Sequence, residues 1–384
     1  MRNVASKPAE ERGLARDGVR MLVATTDGLA QARFADLPRF LACGDLLVVN
    51  TTATLPAAVD GERGAGGAVT VHFSTPLEDG TWVAELREAT AARARLAGTR
   101  AGEQIALPAG AELTLLRRYP DPDADRLWTV SLRTAGENTP GRVTGRGYEA
   151  VPARAAGPSR ATSPGRAAGP GREAIPGRAA GPGDEVLAYL AEHGRPIRYS
   201  YVPEPWPLAA YQTVFSREPG SAEMPSAGRP FTERLAVDLI TAGVVIAPIT
   251  LHAGVASLET HEPPLPERFR VSESTARLIN LTRSAGRRVV AVGTTVTRAL
   301  ESVAGRDGSV SAGEGWTGLV LGGANPARAV TGLITGWHDP EASHLALLEA
   351  VAGPALVKAA YAEAEKGGYL GHEFGDSCLL LPPL

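Results

Sequence analysis

The sequence predicts an α/β protein that carries a small antiparallel β-barrel or sandwich as a second unit. Three observations predict it. Residues 287–302, RRVVAVGTTVTRALES, run from a β-branched strand through a Gly-Thr-Thr turn directly into a helical pattern. Residues 61–150 hold short alternating runs (AVTVHFS, TWVAELR, ELTLLRR, RLWTVSL) separated by Gly, Pro and Asp, the pattern of a small antiparallel barrel or sandwich. From residue 184 onward the pattern is mixed helix and strand, and at 384 residues the chain is long enough for two domains.

The elements follow in order. VRMLVATTDG reads as a strand ending in an Asp27-Gly28 turn, and LAQARFADLP resumes as a second strand. DLPRFLACGDLLVVN gives a short helix, a Gly44-Asp45 turn and a buried strand ending at Asn50. After the 61–150 unit, residues 151–183 form a linker rich in Pro, Gly, Ala and Arg, in which RAAGP recurs. Such a composition buries too little apolar surface to offset its chain entropy, so disorder is expected there. DEVLAYLAEHG is a helix closed by Gly194. Thr232 caps ERLAVDLITAG, and VVIAPITLHAG follows as a strand. Ser272 caps a helix that leads into 287–302; GLVLGG and GLITGW read as strands, and 341–366 as one or two helices broken near Gly353-Pro354.

Composition narrows the function classes. Hydrophobic content of 43% and charged content of 21% are those of an ordinary globular protein. No apolar run reaches membrane-spanning length and the first residues lack a signal-peptide core, so a cytoplasmic setting without membrane contact is expected. Two cysteines, Cys43 and Cys378, give neither a disulfide framework nor metal-ligand spacing. A net charge of −3 weighs against a protein whose whole surface grips nucleic acid, although a local basic patch is compatible with it.

Candidate site residues cluster where strands end, as they do in α/β folds. The Gly293-Thr294-Thr295 turn leaves backbone N–H groups at a helix start, suited to a carboxylate or phosphate; the alternative is a plain helix cap. Tyr211-Gln212-Thr213 closes a Pro-rich loop, and PSAGRPFTE, with Ser226 and Gly228, feeds a helix at Glu233. His252 ends one strand, Trp337-His338-Asp339 ends another, and Asp376 lies near the C-terminus.

GDLLVVNTT, YQTVF, PSAGRPFTE, TLHAG, AVGTTVTRALES, GWHDP and FGDSCLL stand in the order and spacing of one family. The chain resembles the S-adenosylmethionine:tRNA ribosyltransferase-isomerases of queuosine biosynthesis over nearly its whole length. That resemblance implies a main α/β domain built from residues 1–60 and 184–384, with a β-barrel inserted at 61–150. It also implies transfer of the ribosyl part of S-adenosylmethionine to the aminomethyl group of a 7-deazaguanine in tRNA. Adenine and methionine leave, and the ribose becomes an epoxycyclopentanediol. S-adenosylmethionine is then a co-substrate, with no cofactor and no metal.

In that reaction His252 is a candidate proton shuttle or a structural strand-end histidine. Thr294 and Thr295 hold an anionic or ribose group. Arg298 pairs with the methionine carboxylate, or with Glu301 on a solvated face. Glu233 acts in catalysis or stabilises its helix dipole. Asp376 binds a cationic group or forms a turn, and His338 contacts substrate or caps a strand end.

The sequence departs from the family pattern at several points. The family's PTAGLHFT is PSAGRPFT, which places Pro230 at a histidine position; NDTRV-PAR is NTTATLPAA; and a histidine-rich stretch keeps only His261. The aromatic PGYxF loop is LGGANPARA. Lost arginines and aromatics are lost phosphate and base contacts. A paralogue with a non-tRNA acceptor and a non-catalytic nucleoside-binding paralogue are therefore the competing expectations.

Overall fold

The computed structural model describes residues 3–64, 66–88, 96, 98–124, 126–134, 184–255, 265–338 and 344–384. The 151–183 linker and His261 lie outside the described residues. The first hairpin, β1 (Arg20–Thr25) and β2 (Gly28–Arg33), turns where Asp27-Gly28 stands in the sequence. A short 3-10 helix, Phe34–Arg39, leads to β3 (Leu46–Asn50) and β4 (Thr52–Thr54). Six antiparallel strands then close a barrel: β5 (Ala58–Arg63), β6 (Ala68–Pro76), β7 (Trp82–Glu88), β8 (Gln104–Ala106), β9 (Glu112–Tyr119) and β10 (Leu127–Arg133).

Helix α1 (Asp184–His193) buries Val186, Tyr189 and Leu190 in the barrel's core. The chain continues through β11 (Glu218–Ser221), α2 (Glu233–Thr241), β12 (Val245–His252), β13 (Glu267–Val271) and α3 (Glu273–Ser284). Then come β14 (Val289–Val292), α4 (Thr294–Ser302), β15 (Gly313–Thr317), β16 (Gly332–Gly336), α5 (His344–Ala352), α6 (Pro354–Lys366) and β17 (Ser377–Leu381). The main sheet has nine strands in the order β15-β13-β12-β3-β14-β16-β17-β1-β2.

The apolar runs explain the centre of that sheet. Every residue of β3, β14 and β17 is buried, because helices cover both faces. Alternate residues separate cleanly to the two sides. Leu46, Val48, Val289 and Ala291 join Val296, Ala299 and Leu300 of α4 in one core. Leu47, Val49, Val290 and Val292 join Phe34, Leu37, Phe231, Leu235 and Leu239 in the other. Thr232 caps α2 by accepting the Leu235 N–H at 3.1 Å, as its place before an apolar run predicts.

One expected strand is absent. GLVLGG (318–323) is irregular, and the strand there is β15, just before it, paired with β13. Gly318, Gly322 and Gly323 favour turning, a bridge from Gly322 to Asn325 bends the chain, and Val320 points to solvent at 55% exposure.

Candidate active site

Strands β12, β3, β14 and β16 pair in parallel, so their C-terminal ends share one edge of the sheet. β17 runs antiparallel to β16, which brings its N-terminus to the same edge. Asn50, His252, Gly293, Gly336 and Asp376 therefore gather along one line, although they are scattered through the sequence. This is the edge where open α/β sheets bind ligands.

The Gly-Thr-Thr turn sits at its middle. Gly293 takes φ 100°, which a residue with a side chain rarely adopts, and no side chain caps α4. Thr294 and Thr295, half-buried in the first turn, stand beside backbone donors at the positive end of the helix. The 226–228 turn lies over it: a Cβ on Gly293 would stand 3.4 Å from Ala227.

His252 lies on one side of this turn and is held by several contacts. Its Nδ1 is 2.7 Å from Thr52 Oγ1, which is 2.8 Å from Ser221 Oγ. Asn50 fixes the local register, its amide accepting from Leu251 N–H at 3.0 Å and donating to Leu251 O at 2.8 Å. The imidazole packs against Gly220, where a Cβ would come within 2.3 Å of Nδ1.

On the other side is a shallow cleft, about 310 Å³ with the open solvent at its mouth included, lined by Ser226, Arg229, Gly336, Glu373 and Asp376 among others. Glu373 was not singled out by sequence. Its Oε2 accepts from Tyr201 Oη at 2.9 Å, while its Oε1 is buried with no hydrogen-bond partner among the described residues. Burial pushes this carboxyl up to about 7, and Glu223 adds to the rise against the opposing Tyr201 bond. Tyr211, whose ring is 5.2 Å from Phe374, also has a buried hydroxyl without a partner among the described residues. Arg229, 3% exposed, also lines the cleft; it donates to Ala210 O and to Glu10, both at 2.9 Å, so Glu10 balances its charge. Burial works against the charge on Glu10, yet its backbone bond, Arg16 and Arg229 bring it down to about 2.

Other expected site residues are engaged by the fold. Arg298 is 7% exposed and pairs with Glu267, donating also to the carbonyls of Leu265, Thr317 and Leu319. The solvated Arg298–Glu301 face expected as the alternative is not there. Glu301 is buried too, accepting N–H groups of Arg328, Ala329 and Val330 at 2.9 Å each, because α4 packs between the sheet and the 328–330 loop. Asp376 accepts from the Arg20 backbone at 3.0 Å, the Arg20 guanidinium at 2.7 Å and Leu370 N–H at 2.9 Å, tying β1 to β17.

Gln212 exchanges two hydrogen bonds with the Thr54 backbone, at 3.0 and 2.8 Å. Thr213 is buried and caps Phe215 N–H; Gly228 faces it, a Cβ there standing 3.4 Å from Thr213 Cγ2. Glu233 is exposed in the first turn of α2, and His338 lies 3.2 Å from Thr335 Oγ1.

Comparison with known proteins decides the family. A family model described as "Queuosine biosynthesis protein" matches residues 1–380. The chain belongs to this queuosine biosynthesis family. Among curated members of the family, the S-adenosylmethionine:tRNA ribosyltransferase-isomerase of Moorella thermoacetica is 35% identical, across 98% of this chain and 96% of that protein. The enzyme of the same name from Acidiphilium cryptum is 33% identical, across 98% and 95%. A solved S-adenosylmethionine tRNA ribosyltransferase from Thermotoga maritima is similar at 23% identity and a TM-score of 0.46, covering 98% of this chain and 96% of that one. In this member of the queuosine biosynthesis family, Pro230 and Arg229 both line the cleft, so the rewritten PSAGRPFT loop meets the candidate site directly. Asn50 and Thr52, two residues apart, and the distant Gly220 support His252 from two separate segments, a relation that no local motif displays.

Proposed function

We propose that this chain is an S-adenosylmethionine:tRNA ribosyltransferase-isomerase acting on a 7-aminomethyl-7-deazaguanine base in tRNA. The observation that carries the reading is the Gly293-Thr294-Thr295 turn at the centre of the edge, with His252 on one flank and the Glu373 cleft on the other. In this reading the donors of the turn bind ribose or carboxylate oxygens of S-adenosylmethionine. His252, oriented by Thr52, takes the C5′ proton beside the sulfonium. Glu373 carries its proton on Oε1, since Oε2 accepts from Tyr201, and passes it to the departing adenine. Ser226 offers a hydroxyl in the cleft, while Phe374 and Asp376 form part of its wall. A cytoplasmic setting belongs to the same reading; among the described residues, no helix is long and apolar enough to cross a membrane.

Incubation with S-adenosylmethionine and a tRNA bearing the aminomethyl deazaguanine is expected to release adenine and methionine in equal amounts. The tRNA nucleoside gains the epoxycyclopentanediol mass. Tight S-adenosylmethionine binding without adenine release would sink the proposal in favour of a non-catalytic paralogue, and release only with another acceptor would redirect it. Relatives 33% and 35% identical over 98% of the chain weigh against both alternatives.

Gly220→Ala provides a test of His252. The new methyl would overlap the imidazole and tilt it off Thr52. Adenine release is expected to fall by about 10²-fold, the low end of losing a positioned proton carrier, with S-adenosylmethionine affinity retained. Unaltered turnover would remove His252 from the mechanism.

A further inference from the structure

The main sheet continues past His252 into β13 and β15, and register fixes which side chains stand beside the imidazole. Directly opposite residues of antiparallel strands project to the same face, with Cβ atoms about 5 Å apart. His252 of β12 is opposite Arg268 of β13, and Arg268 is opposite Trp316 of β15. The three side chains therefore form one row across the sheet, on the face that carries His252. Neighbouring residues bear out the alternation. Phe269 and Val271 are buried in the core shared with α4, and Glu267 pairs with Arg298 of that helix, all on the opposite face.

Strand β11 covers part of this face. Gly220 packs against the imidazole, and Glu218 Oε1 accepts from Thr250 Oγ1 at 3.1 Å and from Arg270 at 2.5 Å. Thr250, Arg270 and Glu314 make the next row, so Arg270 pairs with Glu218 and has Glu314 opposite it. Arg268 differs. It is exposed, and among the described residues no hydrogen bond or ion pair engages its side chain. Trp316 is partly exposed on β15, the outermost strand, and no other ring contacts it among the described residues. A guanidinium and an indole thus stand side by side on an open face, in line with His252.

We propose that the Arg268–Trp316 row holds the RNA substrate beside its reacting base, an inference that rests on the tRNA reading above. The guanidinium holds a backbone phosphate, and the indole stacks on a base flanking the one that is modified. The chemistry suits this occupant. Arginine and tryptophan are the side chains most enriched where a surface recognises a partner. Arginine matches a phosphate with its planar fork, and an aromatic face accepts any base of a single strand. An open, edge-strand position admits a polymer, whereas small ligands are held in enclosed pockets. With a net charge of −3, the chain needs local cationic positions of this kind to hold a polyanion.

The test is binding of deazaguanine-bearing tRNA to the full-length protein as a function of salt, for wild type, Arg268→Gln, Arg268→Lys, Trp316→Ala and Trp316→Phe. Arg268→Gln is expected to weaken binding by about fivefold and to make the salt dependence shallower by about one unit of slope. Lysine at 268 keeps the wild-type slope. Trp316→Ala is expected to weaken binding by about tenfold with the slope unchanged, since stacking releases no counterions. Phenylalanine at 316 keeps a ring and most of the affinity, which separates stacking from a damaged fold. S-adenosylmethionine affinity stays at the wild-type value in all four. Unchanged tRNA affinity in both Arg268→Gln and Trp316→Ala would overturn the proposal. So would a loss of S-adenosylmethionine affinity in Trp316→Ala with tRNA affinity intact, which would give the ring to the co-substrate. Binding needs no turnover. A wild-type protein that binds tRNA with these variant losses, yet releases no adenine, supports the row and overturns only the proposed reaction; one that binds no tRNA overturns both.

Discussion

Glu373→Gln is expected to cut adenine release by about 10²–10⁴-fold, the usual contribution of a positioned general acid or base. Gln keeps the shape and an acceptor for Tyr201 but carries no transferable proton. The pH dependence follows from the direction of the shift. Burial raises the carboxyl to about 7, so Glu373 is protonated and competent as an acid below that value and loses the proton above it. Wild-type turnover should therefore fall as pH rises through about 7, and the glutamine variant should lack that descending limb. Stability falls in the same direction. A carboxyl raised above its unfolded value of 4.5 favours the folded state at low pH and loses that contribution as pH rises through about 7. At pH 8 the wild type holds a buried charge that Gln does not, which corresponds to about 3 kcal/mol at most. Urea unfolding at pH 8 should show the variant to be the more stable protein. A variant of full activity with an unchanged pH profile would remove Glu373 from the reaction.

Glu267→Ala is expected to destabilise the protein by about 3–5 kcal/mol, because it leaves the Arg298 guanidinium buried without its counter-charge. The pair joins α4 to β13, so the loss reaches the helix that carries the Gly-Thr-Thr turn. The double replacement Arg298→Met/Glu267→Leu removes both charges together and should recover most of that stability. The same double variant determines what Arg298 does. Its Nε and both terminal nitrogens already donate to Glu267, Leu265, Thr317 and Leu319, so S-adenosylmethionine affinity is expected to change by no more than about twofold. A loss of tenfold or more would return Arg298 to the methionine carboxylate. Equilibrium unfolding and calorimetric binding read the two effects separately.

Much of the fold is written in local patterns. The β-branched run at 289–292, the glycine that follows it and the hydroxyls at 294 and 295 declare strand, turn and helix in sequence, because each depends on neighbours a few residues away. The alternating runs of the barrel are legible for the same reason. GLVLGG was misleading since apolar letters alone do not show whether a partner strand is available, and here β13 is already paired through Thr317. Glu373 was missed because its chemistry comes from burial against Tyr201 and the cleft, and nothing near HEFGD in the chain announces that burial. Arg229 escaped for a related reason, since its partner Glu10 lies 219 residues away in the chain.

The sequence by itself determined the α/β class, the barrel, the family resemblance and the row of strand-end residues. These rest on periodicity, turn chemistry and motif order, all one-dimensional properties. Only the tertiary structure decided which polar groups are spent on holding the fold and which remain available. Asp376, Gln212 and Arg298 look like ligand contacts in the sequence, yet their hydrogen bonds close on Arg20, Thr54 and Glu267. Glu373, plain in the sequence, has a buried oxygen with no protein partner among the described residues. The physical reason is that desolvation and hydrogen-bond satisfaction depend on distances between remote segments, and those distances exist only once the chain has packed.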